Sequence, residues 1–239
     1  TKAFDGKISV SQLATSQTLE FSGFSSKTAA VNKGTINIDF GSWNIDGTAF
    51  TADSAQTAQS ISITDGNNTL TGLADALTAI SGVNATVTDK GDGTFSLIIN
   101  SNTGAKNALR LRVTEDQNDA GLAAFDTSSN NSTKQVVAAA DASITLNGVQ
   151  VTRTTNTISD LVDGYEFKLN STTSSAASII ASIDSNAAFN KVKEFVDTFN
   201  SVNSAIDQLT NKGLEGTEKG ILARDVVVSG IKREIRSLV

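Results

Sequence analysis

The sequence has no histidine, no cysteine, no methionine and no proline. Without histidine or cysteine it lacks the commonest transition-metal ligands and the usual general base, and it excludes Ser-His-Asp triads and cysteine nucleophiles. Carboxylates, lysines and a tyrosine remain, so catalysis would need an Asp/Glu pair in a cleft, and the sequence nominates none. A chain without cysteine is also compatible with an extracellular protein that never uses disulfides. Aromatics are scarce: one Trp (Trp43), one Tyr (Tyr165) and 11 Phe among 239 residues. The cores must therefore rest on Ile, Leu, Val and Ala, which favours several thin cores over one thick one. No apolar run approaches the roughly 20 residues of a membrane span, and no signal peptide is present. The net charge of −6 argues against a nucleic-acid partner, because phosphate neutralisation needs clustered Lys and Arg. The one basic concentration, Lys232, Arg233 and Arg236, has Glu234 among it and reads as a solvated or subunit-facing helix surface.

What is present is most specific between Asp141 and Asn170. Asn147-Gly148 lies between Ile144/Leu146 and Val149/Val151, and a two-residue hairpin turn of that composition needs the positive φ that Asn and Gly tolerate best. The four aliphatics are expected on one sheet face. Thr154-Thr155-Asn156 is read as the cap of a short helical turn carrying Ile158, Leu161 and Val162. Gly164 closes it before Tyr165, Phe167 and Leu169 alternate.

The order of these features resembles the bacterial flagellar filament cap family, also called hook-associated protein 2. The residues that carry the resemblance are Asp141, Ala142, Asn147, Gly148, Val149, Arg153, Asn156 and Gly164. Gln12-Leu13-Ala14 with Gln17, Leu19 and Phe24 resembles the family's opening segment, and Phe195-Val196 with Phe199-Asn200 its returning helix. The resemblance implies a structural, secreted, non-enzymatic subunit without cofactors, located at the extracellular flagellum tip. It implies a homo-oligomeric cap whose partners are flagellin and the filament tip, an export chaperone for the full-length protein, and host surface glycans if the cap also acts as an adhesin. For a subunit exported unfolded, a chain free of disulfides and of prolyl isomerisation is consistent. Beginning at Thr1 and ending at Val239 inside a helical pattern, the chain reads as a fragment lacking the family's terminal coiled-coil segments.

Ahead of this block, Ile8 and Val10, then Leu19, Phe21 and Phe24, read as extended segments. Ile36, Ile38 and Phe40 followed by Trp43, Ile45 and Gly47 read as a hairpin over 34–50, and Ile61 and Ile63 as a third strand. Leu70, Leu73, Ala74, Leu77 and Ile80 recur at helical spacing behind Thr69, which can cap. Val83, Ala85 and Val87 pair with Phe95, Leu97 and Ile99 across Asp89–Gly93. Leu109, Leu111 and Val113 form a further strand, and 115–135 is polar, either loop or a short helix around Leu122 to Phe125. From 184 the period changes: Phe189, Val192, Phe195, Val196, Phe199, Val202, Ile206 and Leu209 form one stripe, and Leu222, Val226, Val227, Ile231, Ile235 and Leu238 a second. A helix over 185–211 would be about 40 Å long, and the simplest partner for each stripe is the other helix.

The expected fold is α+β and multi-domain. A β-rich head of residues 1–33 with 136–183 carries an inserted second head at 34–135, and an antiparallel helical leg occupies 184–239. Candidate ligand sites weaken on inspection. Asp89 and Asp92 lack the closing Glu of a calcium loop, Gly104-Ala105-Lys106 lacks the remainder of a phosphate loop, and the sequons at Asn67, Asn84, Asn130, Asn131 and Asn170 are expected by chance in so Asn-, Ser- and Thr-rich a chain. The expected function is a cap subunit promoting flagellin incorporation. The alternatives are a flagellin-like or hook-filament junction subunit, a surface adhesin for glycan or mucin, and a carboxylate-dependent glycosidase.

Overall fold

The computed structural model describes residues 2–182, 184–213 and 218–237. In chain order the elements are β1 (Phe4–Gln12), β2 (Ser16–Phe24), β3 (Gly34–Trp43), β4 (Phe50–Ala52), β5 (Gln59–Ile63), α1 (Leu70–Thr78), β6 (Val83–Asp89), β7 (Phe95–Thr103), β8 (Ala108–Glu115), β9 (Gln135–Val137), β10 (Ala142–Leu146), β11 (Val149–Arg153), β12 (Thr157–Ile158), β13 (Phe167–Lys168), β14 (Ala177–Ala181), α2 (Ser185–Thr210) and α3 (Val226–Ser237). Two compact units divide the chain, Thr1–Ala181 and Ser182–Val239.

The first unit holds two hydrophobic cores. In the smaller lobe a sheet ordered β11-β10-β1-β14 buries Ile8, Ala142 and Ile144, with Ala14 and Ile158 completing the core. Asn147 at φ 50° and Gly148 at φ 86° make the two-residue turn between β10 and β11. Across that hairpin Ile144 pairs with Val151 and Leu146 with Val149. Burial falls off toward the tip, and Val149 is exposed. The expected helical turn after Asn156 is instead a short ladder, with Thr157 opposite Lys168 and Ile158 opposite Phe167. The physical reason is that the Asn156 amide is engaged by backbone elsewhere and so does not cap a helix.

In the larger lobe one sheet runs β6-β7-β2-β9, and in a second sheet β3 pairs with β4 and β5 along one side and β8 along the other. Their facing residues, among them Leu19, Phe21, Ile36, Ile38, Leu97, Ile99, Leu109 and Leu111, meet Leu70, Leu73 and Leu77 of α1. Thr69 caps α1 by accepting the Gly72 N–H. The β6–β7 hairpin has the expected facing pairs Val87 with Leu97 and Ala85 with Ile99. Residues Leu122–Phe125 form a 3-10 turn that buries Leu122 and Phe125.

Two expectations change. Trp43 ends β3 instead of starting a return strand; the chain turns over 44–49 and Ile45 sits fully exposed on the turn. β2, expected in the same lobe as β1, pairs with β7 and β9 and places Leu19 and Phe21 in the larger core. The smaller core takes Ile8, Ala14, Ala142, Ile144 and Ile158, and the larger core takes buried residues from Leu19 to Phe125. A register shift near Val10/Gln12 ends the regular β1–β10 ladder just before Ala14.

The second unit is helical. Asp184 accepts the N–H groups of Asn186 and Ala187, fixing the start of α2. At 26 residues α2 is about 39 Å long, whereas the 12 residues of α3 span about 18 Å. Leu222 N–H donates to Leu209 O at 2.8 Å and Gly220 N–H to Asn211 O at 2.9 Å. Phe189, Val192, Phe195, Val196 and Val202, expected as packing residues, are exposed, as are Val226 and Ile231. Phe199, Ile206 and Leu222 are half-buried. The Ile235 side chain and Leu238 lie outside the described residues. No described helix is long and apolar enough to cross a membrane.

Candidate functional site: the joint between the lobes

The residues singled out by motif converge where the chain passes between the two lobes. Thr15 and Ala140 exchange backbone hydrogen bonds at 2.9 and 3.1 Å, so the outgoing and returning segments cross as an antiparallel pair. Thr15 Oγ1 donates to Ala138 O at 2.7 Å, and Gly104 N–H donates to Thr15 O at 3.2 Å. Asn156 clamps the smaller-lobe side: its Oδ1 accepts the Ala14 N–H and its Nδ2 donates to Ala14 O, both at 2.8 Å. Gln12 Nε2 reaches Asp141 O at 3.1 Å, and Leu13 between them is half-buried.

The larger lobe contributes the turn 103–108. Ala105 N–H donates to Asp141 Oδ1 at 2.8 Å, tying that turn to the first residues of the returning chain. Gly104 adopts φ 109°, and a Cβ there would lie 2.8 Å from the Thr154 Cβ. The stretch that superficially resembles a phosphate loop is thus packed against its neighbour. Close approach is what glycine permits at this spot.

The remaining motif residues brace the smaller lobe. Asn147 Oδ1 accepts the Lys7 N–H at 2.8 Å and its own N–H donates to Lys7 O at 2.9 Å, so the hairpin turn also fastens β1. Arg153 Nε bonds both carboxylate oxygens of Asp160, at 2.9 and 3.0 Å, and this ion pair holds the Asp160 carboxyl below its ordinary range. Gly164 at φ 81° lies within the turn that the Tyr165 N–H closes on Val162 O.

Two buried polar groups have roles that motif reading did not assign, Gln17 having been picked out only by resemblance and Asp39 not at all. Gln17, with no exposed surface, accepts the Leu109 N–H at 2.6 Å and donates to Gln135 Oε1 at 2.8 Å, linking β2, β8 and β9. Asp39 is 7% exposed in β3 and receives Arg110 Nε, Arg112 Nε and an Arg112 terminal nitrogen at 2.7 to 3.0 Å. A guanidinium-capable residue at every second position, Arg110 and Arg112, opposite an acid flanked by apolar residues, was the available signal.

Chemically the site positions backbone, through paired amide and carbonyl groups. Glu20, Asp39, Asp92, Glu115 and Asp160 are all held below the ordinary carboxylate range, by Lys90, Arg112, Thr94, the Ala123 N–H and Arg153 respectively. A glycosidase acid needs the opposite, a carboxyl pushed upward. Among the described residues no group of His, Cys, Asp and Glu is placed to hold a metal ion.

Residues 139–239 match the family described as "Flagellar hook-associated protein 2 C-terminus". The B-type flagellar hook-associated protein 2 of Pseudomonas aeruginosa is 27% identical over 251 residues, covering 97% of this chain and 50% of that protein. Flagellar hook-associated protein 2 of Salmonella typhimurium is 28% identical over 185 residues, covering 74% of this chain and 39% of that protein. The chain thus spans about half the length, or less, of these curated relatives. Among solved structures, the D1-D2-D3 domains of the Escherichia coli flagellar cap protein FliD align with a TM-score of 0.78 at 27% identity, covering 98% of this chain and 63% of that one.

Proposed function

Starting from the fact that this chain belongs to the flagellar hook-associated protein 2 family, a structural and non-enzymatic one, we propose that it is part of a cap subunit at the distal end of the flagellar filament. Copies associate into a closed assembly, and that assembly holds emerging flagellin at the filament tip while it folds and joins. The observation that carries this reading is the likeness to a flagellar cap structure over 98% of the chain, which takes in both lobes and the helical unit.

The physical picture has three parts. The lobes are heads, the larger inserted into the smaller through the crossing at Thr15 and Ala140. The helices α2 and α3 are an antiparallel leg whose uncovered apolar stripe takes part in assembly. A cap that advances over a growing polymer cannot hold it tightly at one spot, and broad polar surfaces making several weak contacts suit that task better than one deep apolar pocket. The outward residues of the smaller lobe's sheet, Ser143, Thr145, Gln150 and Thr152, are of that kind.

The test is complementation. The gene encoding this chain, introduced into a strain lacking its own cap, is expected to restore filaments and to reduce flagellin released into the medium. Bald cells that still leak flagellin would refute the assignment.

A further inference from the structure

The two lobes have no shared core. Among the described residues the smaller core ends with Ala14 and resumes at Ala142, and the larger one starts at Leu19 and runs to Phe125, with no buried apolar residue in both. The chain passes between them twice, at Thr15 and Ala140, which are only half-buried, and Ala138 beside them is exposed. Lobes joined by so slight a connection are expected to swing against each other, because a large apolar interface is what ordinarily stops such motion. Two strands crossing once make a hinge.

Two contacts across the joint oppose that motion. The 3-10 turn Ala105–Asn107 of the larger lobe follows Gly104, which has no side chain to cap it, and its first N–H is taken by Asp141 Oδ1 from the returning chain at 2.8 Å. Both ends of this bond are fixed in their own lobe. Asn107 Nδ2 donates to Thr103 O at 2.6 Å and Asn107 N–H to Gly104 O at 2.9 Å, while Gln56 Nε2 donates to Lys106 O and Asn107 Oδ1 at 3.2 and 3.1 Å. On the other side, Asp141 O accepts from Gln12 Nε2, and the next residue, Ala142, is fully buried in the smaller core. The second contact is steric. Gly104 faces Thr154, which follows β11 of the smaller lobe, so closely that a Cβ there would stand 2.8 Å from the Thr154 Cβ.

We infer that Asp141 and Gly104 form a latch that locks the two lobes in one orientation across the Thr15–Ala140 hinge. The carboxylate supplies the attraction, and a charge-assisted hydrogen bond to a backbone N–H is among the stronger kinds. Gly104 supplies the fit, since it lets two backbones approach where any side chain would hold them apart. A load taken by one lobe is then passed to the other instead of being absorbed at the joint.

The absence of cysteine lets paired spin labels read this directly. Thr88→Cys with Gln150→Cys, both at exposed positions, puts one label on each lobe, and Ser60→Cys with Thr88→Cys gives a control pair within the larger lobe. In the otherwise unaltered chain, double electron–electron resonance is expected to give one narrow interlobe distance. Asp141→Ala is expected to broaden that distribution roughly twofold or more while leaving the control pair unchanged. Asp141→Asn, which keeps the acceptor oxygen, is expected to retain the narrow distribution. Gly104→Ala is expected to shift the mean interlobe distance, and adding Thr154→Gly, which removes the opposing Cβ, to bring it back. The latch is overturned if the Asp141→Ala chain is as narrow as its parent, if the parent is already broad, or if Asn broadens as much as Ala. Should Asp141→Ala also broaden the control pair, Gly104→Ala decides, and an unmoved interlobe mean overturns the latch.

Discussion

Replacing Gln17 by Leu is expected to lower the unfolding free energy of the β-lobed unit by about 3 kcal/mol, from the usual 1–3 kcal/mol per orphaned buried polar group. The side chain is fully buried and the substitution keeps its approximate bulk, so cavity formation is a minor part of the loss. What disappears is the acceptor for the Leu109 N–H and the donor to Gln135 Oε1. Leu109 belongs to β8, whose outer edge has no neighbouring strand and is satisfied by side chains instead. Gln17 serves Leu109, Thr127 Oγ1 serves Leu111, and Asp126 serves Val113. Removing one of these leaves a buried N–H with no water to take its place. Gln17→Glu is expected to be worse than Leu, because a carboxylate accepts from Leu109 but cannot donate to Gln135 and carries a charge into a dry site. Urea unfolding followed by far-ultraviolet circular dichroism measures both; a loss below about 1 kcal/mol for the Leu variant would mean that β8 does not depend on this amide.

Asp39→Ala is the second large effect, about 2–3 kcal/mol at neutral pH. Breaking a buried ion pair costs roughly 3–5 kcal/mol, discounted here because the Arg112 side chain is 47% exposed and water screens it. Arg112, then Arg110, hold the Asp39 carboxyl below its ordinary value of 3.8. In the folded chain it therefore stays ionised at pH values where the unfolded chain has already taken up the proton. Its contribution is complete above the unfolded value and is lost as pH falls through the folded one. Wild type and Asp39→Ala are expected to converge in stability as the pH is taken below about 4. The remaining acid sensitivity of the variant belongs to Glu20, Asp92, Glu115 and Asp160, which are depressed for the same kind of reason. Equal spacing between the two proteins at pH 7 and pH 3 would contradict the ion-pair explanation.

Local chemistry was legible in the sequence where it is settled within a few residues. Asn147-Gly148 dictates a turn because only positive φ closes it, and Thr69 caps α1 because its oxygen lies within reach of the Gly72 N–H. The alternation of Val83–Val87 against Phe95–Ile99 needed only a short loop to become a hairpin. What could not be read were choices made by distant partners. Gln17, Leu19 and Phe21 alternate equally well in either lobe's sheet, so the placement of β2 followed from β7 and β9, more than 70 residues on. Ile158, Leu161 and Val162 fit a helical turn by spacing. The structure instead makes Thr157–Ile158 a two-residue strand and leaves Leu161 and Val162 in a bend, with the Asn156 amide bonded to Ala14, 142 residues away. Asp39 reads as the outward residue of a half-buried strand until Arg110 and Arg112 close over it.

The joint shows the same division. Resemblance picked out Gln12, Ala14, Asn147 and Asn156 without saying what they do. Three of them fasten β1 and its exit to the returning chain, and that connection is long-range by nature. The helical stripe was visible from its period, and Phe189, Val192, Phe195, Val196 and Val202 on it are exposed.

The claim that this protein works by assembling with itself is tested most directly by native mass spectrometry of the full-length gene product over a wide concentration range. The account predicts that one discrete closed oligomer replaces the monomer as concentration rises. A monomer that persists at every concentration would contradict it.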